Sequence, residues 1–221
     1  MHTSDWHLSS PGDMASQNME IMVGLGADTK VDMLIIAGDL FDTNEVDDNL
    51  VRFAIEQLRR FPAEVLILPG NHDCFSTESA LAKLNSWNDS NNIRVIQSPD
   101  GEALDYPNLG LSVWGKSIDS AEGDFRPLGG MPPPDENGWW HIVVAHGYYY
   151  TNTGVPLFLH ITPEEIVGSG WDYIALGHLA DFRCVCEDPV AYYSGSLSLT
   201  GMVALVDLDD ETGVKVSPCF L

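Results

Sequence analysis

Short apolar runs that each end in a polar residue recur along this chain and constrain its fold more than any other feature. Four of them read LIIAGD, ending at Asp39, LILPGNH, ending at His72, IVVAH, ending at His146, and YIALGH, ending at His178. Two further runs, NIRVIQS and LGLSVWG, have the same apolar character. Apolar stretches of about four to eight residues bounded by glycine or proline are typical of buried strands. The sequence therefore predicts a fold built on buried sheets.

A helical pattern lies between the first two of these runs. Leu50, Phe53, Ala54 and Leu58 fall on one face of this helix, and charged residues lie elsewhere. The stretch ALVDLDDETGVKV near the C-terminus is typical of a hairpin. Strands that alternate with helices early in the chain, and are followed mostly by strands, predict a layered α/β fold whose sheets are buried between helices.

Length and composition indicate the broad class of protein. With 221 residues, 44% of them hydrophobic, the chain can bury a core, and we expect one domain over residues 1–221. It has no apolar run of about 18 residues and no basic segment before an apolar stretch, so the sequence predicts neither a membrane span nor a secretory signal. We therefore expect a cytoplasmic protein without a membrane partner. The oligomeric state stays open.

The charge balance argues against one class of partner. The chain has 33 acidic and 10 basic residues, which give a net charge of −23. Proteins that hold nucleic acid through its phosphates need clustered Lys and Arg to displace counterions. The composition therefore disfavours tight binding of extended DNA, and it restricts any nucleic-acid substrate to short or single-stranded ends.

Polar side chains that can bind metal ions stand where the predicted strands end. They are Asp5, His7, Asp39, Asn71, His72, His146 and His178. The steps from His7 to Asp39, from Asp39 to Asn71 and from His146 to His178 are each 32 residues, close to one strand-helix unit of about 30 residues. Any one of these residues alone is more often a strand cap. The repeated set instead predicts that they converge at one sheet edge as ligands for divalent metal ions.

Five motifs that occur in order, HTSDWHL, GDLFD, GNHD, AHG and GHLA, resemble those of the calcineurin-like metallophosphoesterases. HTSDWHL together with YSGSLS, residues 193–198, is most similar to the SbcD-type branch of nucleases and phosphodiesterases. The resemblance runs from residue 2 to about residue 200. It implies a four-layer αββα sandwich of two mixed sheets with flanking helices, and a dinuclear metal site at one edge of the sheets.

The same resemblance implies a role for each polar side chain. The metal ligands would be Asp5, His7, Asp39, Asn71, His146 and His178. Asp5 and His7 would bind one ion, Asp39 would bridge both ions, and the remaining three would bind the second ion. His72 would be a catalytic residue that binds no metal, and Asp42 would pair with His72 and orient its ring.

These residues imply a reaction and a metal. Two ions about 3.5 to 4 Å apart can hold a hydroxide and neutralise the phosphate oxygens that it attacks, while an imidazole protonates the leaving oxygen. We therefore expect a metal-dependent phosphodiesterase acting on small phosphodiesters or short nucleic-acid ends. The alternatives are a phosphomonoesterase or phosphotriesterase on the same site, and a non-catalytic scaffold. The mixed ligand set favours Mn²⁺, with Fe, Zn or Co as substitutes.

Three features depart from the family pattern. Ala180 stands where the family has a further histidine ligand, so we expect the Asp5/His7 ion to bind weakly or to complete its shell with water. Asp181 is next in sequence but would point to the opposite side of an extended segment. Only Met1 precedes HTSDWHL, so either the first strand is short or the natural start lies upstream. SbcD-type nucleases are also longer, with further domains for DNA and a partner ATPase.

Three consecutive tyrosines, Tyr148, Tyr149 and Tyr150, follow the predicted ligand His146. They can form a stacking rim for a base or an aryl leaving group. They can also divide between core and surface, which is the commoner arrangement for consecutive aromatic residues.

Overall fold

The computed structural model describes residues 1–83, 87, 89–120, 123–151 and 158–221. One of its two large sheets has six strands, which are β1 (His2–Thr3), β2 (Met33–Ala37), β3 (Glu64–Leu68), β4 (Ile93–Val95), β13 (Met202–Asp209) and β14 (Gly213–Phe220). Their order across the sheet is β14-β13-β1-β2-β3-β4. The strands from β1 to β4 run parallel, and β13 is antiparallel to both of its neighbours.

The second large sheet also has six strands, which are β5 (Glu102–Tyr106), β6 (Leu111–Gly115), β7 (Trp140–His146), β10 (Tyr173–Gly177), β11 (Phe182–Glu187) and β12 (Val190–Ser194). Their order is β11-β12-β10-β7-β6-β5. The four central strands run parallel and the two edge strands antiparallel. A separate parallel pair consists of β8 (Tyr148–Tyr149) and β9 (His160–Ile161).

In the described residues, four α-helices accompany the sheets. They are α1 (Met14–Thr29), α2 (Asp48–Arg59), α3 (Pro163–Val167) and α4 (Leu197–Thr200). A 3₁₀ turn covers Pro107–Leu109. Within the described part of the chain, none of the helices combines the length and apolar character that crossing a membrane requires.

The layers stack in the order helix, sheet, sheet, helix. Apolar side chains from both large sheets meet between them, namely Met33, Ile35, Leu66, Leu68, Val113, Ile142, Val144 and Tyr173. On the outer face of the first sheet, Leu50 and Leu58 of α2 pack in one cluster with Met19 of α1. On the outer face of the second sheet, Ile166 of α3 packs with Ile174. The predicted four-layer αββα sandwich of two mixed sheets is therefore confirmed.

The structure also tests two of the predicted local elements. The helix carrying Leu50, Ala54 and Leu58 is α2, and all three side chains are buried. The C-terminal hairpin is the antiparallel pair of β13 and β14. Both predictions are confirmed, because in each case the apolar period of the sequence matched the local structure.

Sequence analysis missed helix α1. Its apolar periodicity is weak because Gly24 and Gly26 interrupt it. The signal that was available is the N-cap Asp13, whose carboxylate accepts the backbone N–H of Ser16 at 2.7 Å. Gly26 has a packing reason, since a Cβ there would overlap the ring of Phe61. Close packing against Phe61 thus requires glycine at a position where a regular amphipathic helix would have a larger side chain.

The parallel strands bring their carboxyl ends to one edge of each sheet. In the first sheet Thr3 pairs with Ile36, and Ile36 pairs with Ile67. In the second sheet Gly177 pairs with His146. The residues that follow these strands therefore lie side by side, as the regular spacing in the sequence predicted.

Candidate metal centre

Four of the predicted ligands have left-handed backbone conformations. They are Asp5 (φ 54°), His7 (φ 50°), Asp39 (φ 55°) and His178 (φ 99°). A non-glycine residue in this region costs about 1 to 3 kcal/mol and persists only where its surroundings hold it. Here the backbone N–H of Asp5 donates to Gly38 at 3.0 Å, and that of His7 donates to Asp39 at 3.1 Å. Strain of this kind gathers at functional sites.

One half of the site, which we call the His146 half, consists of Asn71, His146 and His178. Nε2 of His146 lies 3.0 Å from Oδ1 of Asn71 and 3.0 Å from Nδ1 of His178. It also lies 3.2 Å from Oδ2 of Asp39. Four potential ligand atoms therefore surround one point, and they include three of the side chains predicted to bind the second ion together with the predicted bridge.

The orientation of the His146 ring is fixed by the main chain. Nδ1 of His146 lies 2.9 Å from the carbonyl oxygen of Ala37. A carbonyl only accepts hydrogen bonds, so Nδ1 carries the proton. In the neutral ring this leaves the Nε2 lone pair directed at the point shared with Asn71 and Asp39. A second hydrogen bond of this type is how metal-binding histidines are usually held.

Two buried carboxylates determine the electrostatics of the site. Burial alone lowers the pKa of His146, but the charges of Asp39 and Asp5 outweigh burial and raise this pKa to about 9. Burial raises the pKa of Asp5. Burial and the neighbouring His146 lower the pKa of His178 to about 4, which keeps it in the neutral form that binds metals. Grouped buried carboxylates favour a cation between them.

The other half, which we call the His7 half, consists of Asp5 and His7. Nε2 of His7 lies 3.9 Å from Oδ1 of Asp5 and 3.9 Å from Oδ2 of Asp39. The potential ligand atoms of His7, Asp39 and His72 all lie within 4.8 Å of one another. The structure therefore brings all six predicted ligands to one site, with the Asp39 carboxylate between its two halves.

Asp5 is held by the segment that includes the YSGSLS motif. Its carbonyl oxygen accepts hydrogen bonds from the hydroxyls of Ser196 at 2.8 Å and Ser198 at 3.2 Å. Its carboxylate accepts the backbone N–H of His178 at 2.9 Å. The motif therefore holds the loop that carries Asp5, a role that its sequence alone did not indicate.

The position of Ala180 relates to the same network. The carbonyl oxygen of Ala180 accepts the backbone N–H of Ser196 at 3.2 Å, and Ser196 in turn contacts Asp5. Ser196 thus contacts the main chain of both Ala180 and Asp5. Asp181 is exposed, and among the described residues it joins neither cluster of three potential ligands.

Asp42 contacts both His72 and His7. Nδ1 of His72 is 2.9 Å from the backbone carbonyl of Asp42 but 3.9 Å from its carboxylate. The carboxylate lies closer to His7, at 3.2 Å from Nδ1. The backbone N–H of Asp42 donates to the carbonyl of Leu8 at 3.0 Å, which anchors the residue on its N-terminal side. Nδ1 of His72 is therefore held by the main chain of Asp42, with the Asp42 carboxylate 3.9 Å away, and the expected role of that carboxylate in orienting the ring stays a prediction.

Asp73 is a supporting residue that sequence analysis missed, although it ends the GNHD motif. Its buried carboxylate accepts the backbone N–H of Gly70 at 2.7 Å and that of Phe41 at 3.1 Å. Burial and the charge of Asp39 raise the pKa of Asp73 to about 7. Asp73 thus ties the loop after β2 to the loop after β3, and these two loops carry Asp39 and Asn71.

Glycines leave room for the ligands at three places. A Cβ at Gly38 would overlap the ring of His146, and a Cβ at Gly70 would overlap the carboxylate of Asp39. At Gly177, a Cβ would overlap the carbonyl oxygen of Ala37. The glycine in each of these motifs is therefore required by close packing around the site.

Among the three tyrosines, Tyr148 is exposed, whereas Tyr149 and Tyr150 are half-buried. Tyr148 is exposed, and its ring centroid lies 4.0 Å from that of His178. Tyr149 is half-buried and donates its backbone N–H to the hydroxyl of Tyr193 at 2.7 Å. Tyr148 therefore stands at the rim of the site. Stacking of this residue on a substrate stays a prediction.

Comparison with known proteins adds family evidence to this geometry. The family model for calcineurin-like phosphoesterases matches residues 1–182. The "Uncharacterized metallophosphoesterase YhaO" of Bacillus subtilis (strain 168) is 24% identical over 226 residues, which cover 89% of this chain and 52% of that protein. The chain thus spans about half the length of this curated relative.

Solved structures show similarity in fold. TT1561 of Thermus thermophilus superposes with a TM-score of 0.63 at 13% sequence identity, over 97% of this chain and 96% of that one. A second solved structure gives a TM-score of 0.58 at 12% identity, over the same shares of the two chains. At these identities the similarity establishes the arrangement of the layers and leaves the substrate open.

Proposed function

Because the chain belongs to the calcineurin-like phosphoesterase family, whose members act at a divalent metal site, we propose that it is a phosphodiesterase that uses two bound ions. The observation that supports this proposal most directly is the position of Asp39. Its carboxylate belongs to two groups of potential ligands, one with His7 and His72 and the other with His146 and His178. A carboxylate shared by two ligand groups suits a bridge between two ions.

The donor set fits divalent ions of intermediate hardness. One ion would be held by the His7 half and the other by the His146 half, with Asp39 common to both. Carboxylate and amide oxygens together with neutral imidazole nitrogens suit Mn²⁺, and Fe, Zn or Co are compatible with the same atoms. The buried negative charge of Asp5 and Asp39 favours such cations.

The chain's own residues have separate roles in the proposed reaction. Bound ions would supply an activated water and neutralise charge on the phosphate. His72, whose Nδ1–H is held by the Asp42 carbonyl, would enter the reaction doubly protonated and give its Nε2 proton to the leaving oxygen. The ring keeps its Nδ1–H bond throughout, so it does not need to rotate during the transfer.

The proposed substrates are small phosphodiesters or short nucleic-acid ends. The net charge of −23 repels a long polyanion, and extended DNA binding normally requires clustered basic side chains. Similarity to the SbcD-type branch stays a prediction, since this chain covers only 52% of the relative that it matches.

Hydrolysis of an aryl phosphodiester tests the proposal. We expect turnover that requires Mn²⁺, is abolished by a chelator and by Asp39→Asn, and falls about a hundredfold in His72→Ala, because a general acid commonly contributes that much. Asp105→Asn is the matched control, since Asp105 lies on the edge strand β5 and contacts Ser112. Folded protein that turns over no diester with any divalent ion would support the scaffold alternative. Preference for a phosphomonoester or a phosphotriester would identify one of the other two esterases.

Substrate size is tested by comparing a dinucleotide with long duplex DNA at the same metal and salt concentrations. We expect the dinucleotide to be the better substrate and any duplex binding to depend weakly on salt. Tight duplex binding that weakens steeply with salt would contradict the proposed substrate class.

A further inference from the structure

One ring nitrogen at the site has no conventional acceptor. Nε2 of His178 is buried and has no hydrogen-bond partner among the described residues. The other ring nitrogen, Nδ1, lies 3.0 Å from Nε2 of His146, at the point where the potential ligand atoms meet. If Nδ1 keeps its lone pair for that point, Nε2 must carry the proton. A buried N–H without an acceptor costs about 1 to 3 kcal/mol.

The ring of Tyr148 packs against the ring of His178. The two rings are nearly perpendicular, at 86°, with centroids 4.0 Å apart. Two perpendicular rings can pack in two ways, with the imidazole edge on the phenol face or with the phenol edge on the imidazole face. Because the imidazole ring is smaller, the first arrangement fits a centroid distance of 4.0 Å more easily. Nδ1 of His178 is turned towards His146 and Cγ carries the main-chain attachment, so the edge left to face Tyr148 includes Nε2.

Tyr148 is held in this position by several contacts. Its backbone N–H donates to Leu159 at 2.8 Å, within the pairing of β8 with β9. The hydroxyl of Tyr193 donates to the carbonyl of Gly147 at 2.7 Å and accepts the N–H of Tyr149 at 2.7 Å. The segment on both sides of Tyr148 is thus fixed, while Tyr148 itself is 41% exposed.

We propose that the ring face of Tyr148 accepts the Nε2–H of His178 and thereby holds His178 in the tautomer that binds metal through Nδ1. The inference rests on the proposed function, because it takes His178 as a metal ligand. An N–H directed at an aromatic face is a weak hydrogen bond. It takes the place of the carbonyl or carboxylate that usually supports a metal-binding histidine.

The two histidines of this half would then be supported in opposite ways. His146 donates Nδ1–H to the Ala37 carbonyl and offers Nε2. His178 donates Nε2–H to an aromatic face and offers Nδ1. Tyr148 is a positioning residue in this scheme, because it acts on the metal through His178.

Two substitutions of Tyr148 distinguish the effect of its aromatic face from the effect of its side-chain volume. Tyr148→Phe keeps the face and removes the hydroxyl, whereas Tyr148→Leu keeps an apolar side chain and removes the face. Metal affinity is measured by competition between Mn²⁺ binding and a chelator. We expect Tyr148→Phe to match the wild type and Tyr148→Leu to bind about two- to fivefold more weakly, as the loss of a weak hydrogen bond predicts. Tyr150→Leu is the matched control on the same segment and should leave affinity unchanged.

A spectroscopic measurement reports the contact directly. In zinc-loaded protein, the Nε2 proton of His178 should resonate upfield, since it lies over an aromatic face, in the wild type and in Tyr148→Phe but not in Tyr148→Leu. If Tyr148→Leu and the wild type have the same metal affinity and the same chemical shift for this proton, the role proposed for Tyr148 is overturned, whereas the metal centre is not. Wild-type protein that binds no Mn²⁺, or His178→Ala that binds it as tightly as the wild type, would overturn the metal centre itself.

Discussion

The two halves of the metal centre differ in how exposed their histidines His146 and His7 are. In the His146 half, the His146 side chain is 0% exposed and Asp39 beside it 2% exposed. In the His7 half, the His7 side chain is 25% exposed, and neighbouring His72 is 44% exposed. Both halves share the carboxylate of Asp39, so they differ in what surrounds the ligands.

This difference separates two tasks. The His146 half is built from close packing and main-chain hydrogen bonds, such as the contact of His146 with Ala37, which suits firm retention of an ion. The His7 half includes the partly exposed His7, which suits exchange of water and entry of substrate. We therefore expect substitutions in the His146 half to affect folding and metal retention most, and substitutions in the His7 half to affect the second ion.

The largest effect is expected for Gly177→Ala. The added Cβ would overlap the carbonyl of Ala37 and lie 2.9 Å from Nδ1 of His146, in a region where both sheets meet. Overpacking of a core commonly costs about 1 to 3 kcal/mol. The atom that the added Cβ would meet is the backbone carbonyl oxygen of Ala37, which cannot move away as easily as a flexible side chain. We expect a loss of unfolding free energy at the upper end of that range and loss of the bound metal, measured by urea unfolding and by metal analysis.

Gly24→Ala is the control for this prediction. Gly24 lies in α1 with nothing within 4 Å of an added Cβ, so alanine should be neutral or stabilise the helix by up to about 1 kcal/mol. Equal stability of the two variants would show that the contact at Gly177 relaxes readily and that the His146 half is less tightly packed than described.

The next largest effect is expected when one histidine is removed from each half. His146→Ala should lose the firmly held ion, because it removes a ligand and leaves Asp39 buried without its partner, and affinity should fall more than about a hundredfold. His7→Ala should keep one ion after dialysis. Metal content of the two dialysed variants, measured side by side, checks this. Retention of an ion by His146→Ala together with its loss in His7→Ala would reverse the assignment.

The sequence allowed the position of the site to be predicted better than its internal contacts. The recurrence of apolar runs before Asp39, Asn71, His146 and His178 reflects parallel strands, whose ends must lie together, so pattern alone located these residues. The contact of the Asp42 carbonyl with His72 depends on how a loop turns after β2. The identity of a side chain does not indicate which atoms a main-chain carbonyl will contact, so the sequence did not predict this hydrogen bond.

The supporting residues show the same limit. Asp73 and the serines of YSGSLS act on backbone atoms of distant loops, and their contacts span up to 193 residues of sequence, as for Ser198 and Asp5. Such contacts have no local period that a sequence could display. Helix α1 was missed for a related reason, since its fit against Phe61 favoured glycine over a regular apolar stripe.

The pH dependence of metal binding should also reflect the His146 half. In metal-free protein the nearby carboxylates raise the pKa of His146 to about 9, so below that pH an ion must displace a proton from Nε2. Affinity should therefore rise with pH, about tenfold per unit below pH 9, and level off above it. Calorimetry in buffers of different ionisation enthalpy should show about one proton released per ion bound at neutral pH. Affinity that is independent of pH between 6 and 8 would mean that His146 is already neutral.

The smallest effect is expected from completing the His7 half with Ala180→His. The family pattern has a histidine ligand at position 180, so we expect an added imidazole there to bind the ion that Asp5 and His7 hold and to replace water. We expect this substitution to tighten the second ion by about tenfold, in the range that one supporting interaction at a metal site contributes, and to leave the ion of the His146 half unchanged. Activity need not rise, because the open position can be where a substrate oxygen binds.

Metal stoichiometry after dialysis, compared between the wild type and Ala180→His, tests whether the substitution tightens the second ion. Two firmly held ions in the wild type would show that another group already completes the shell.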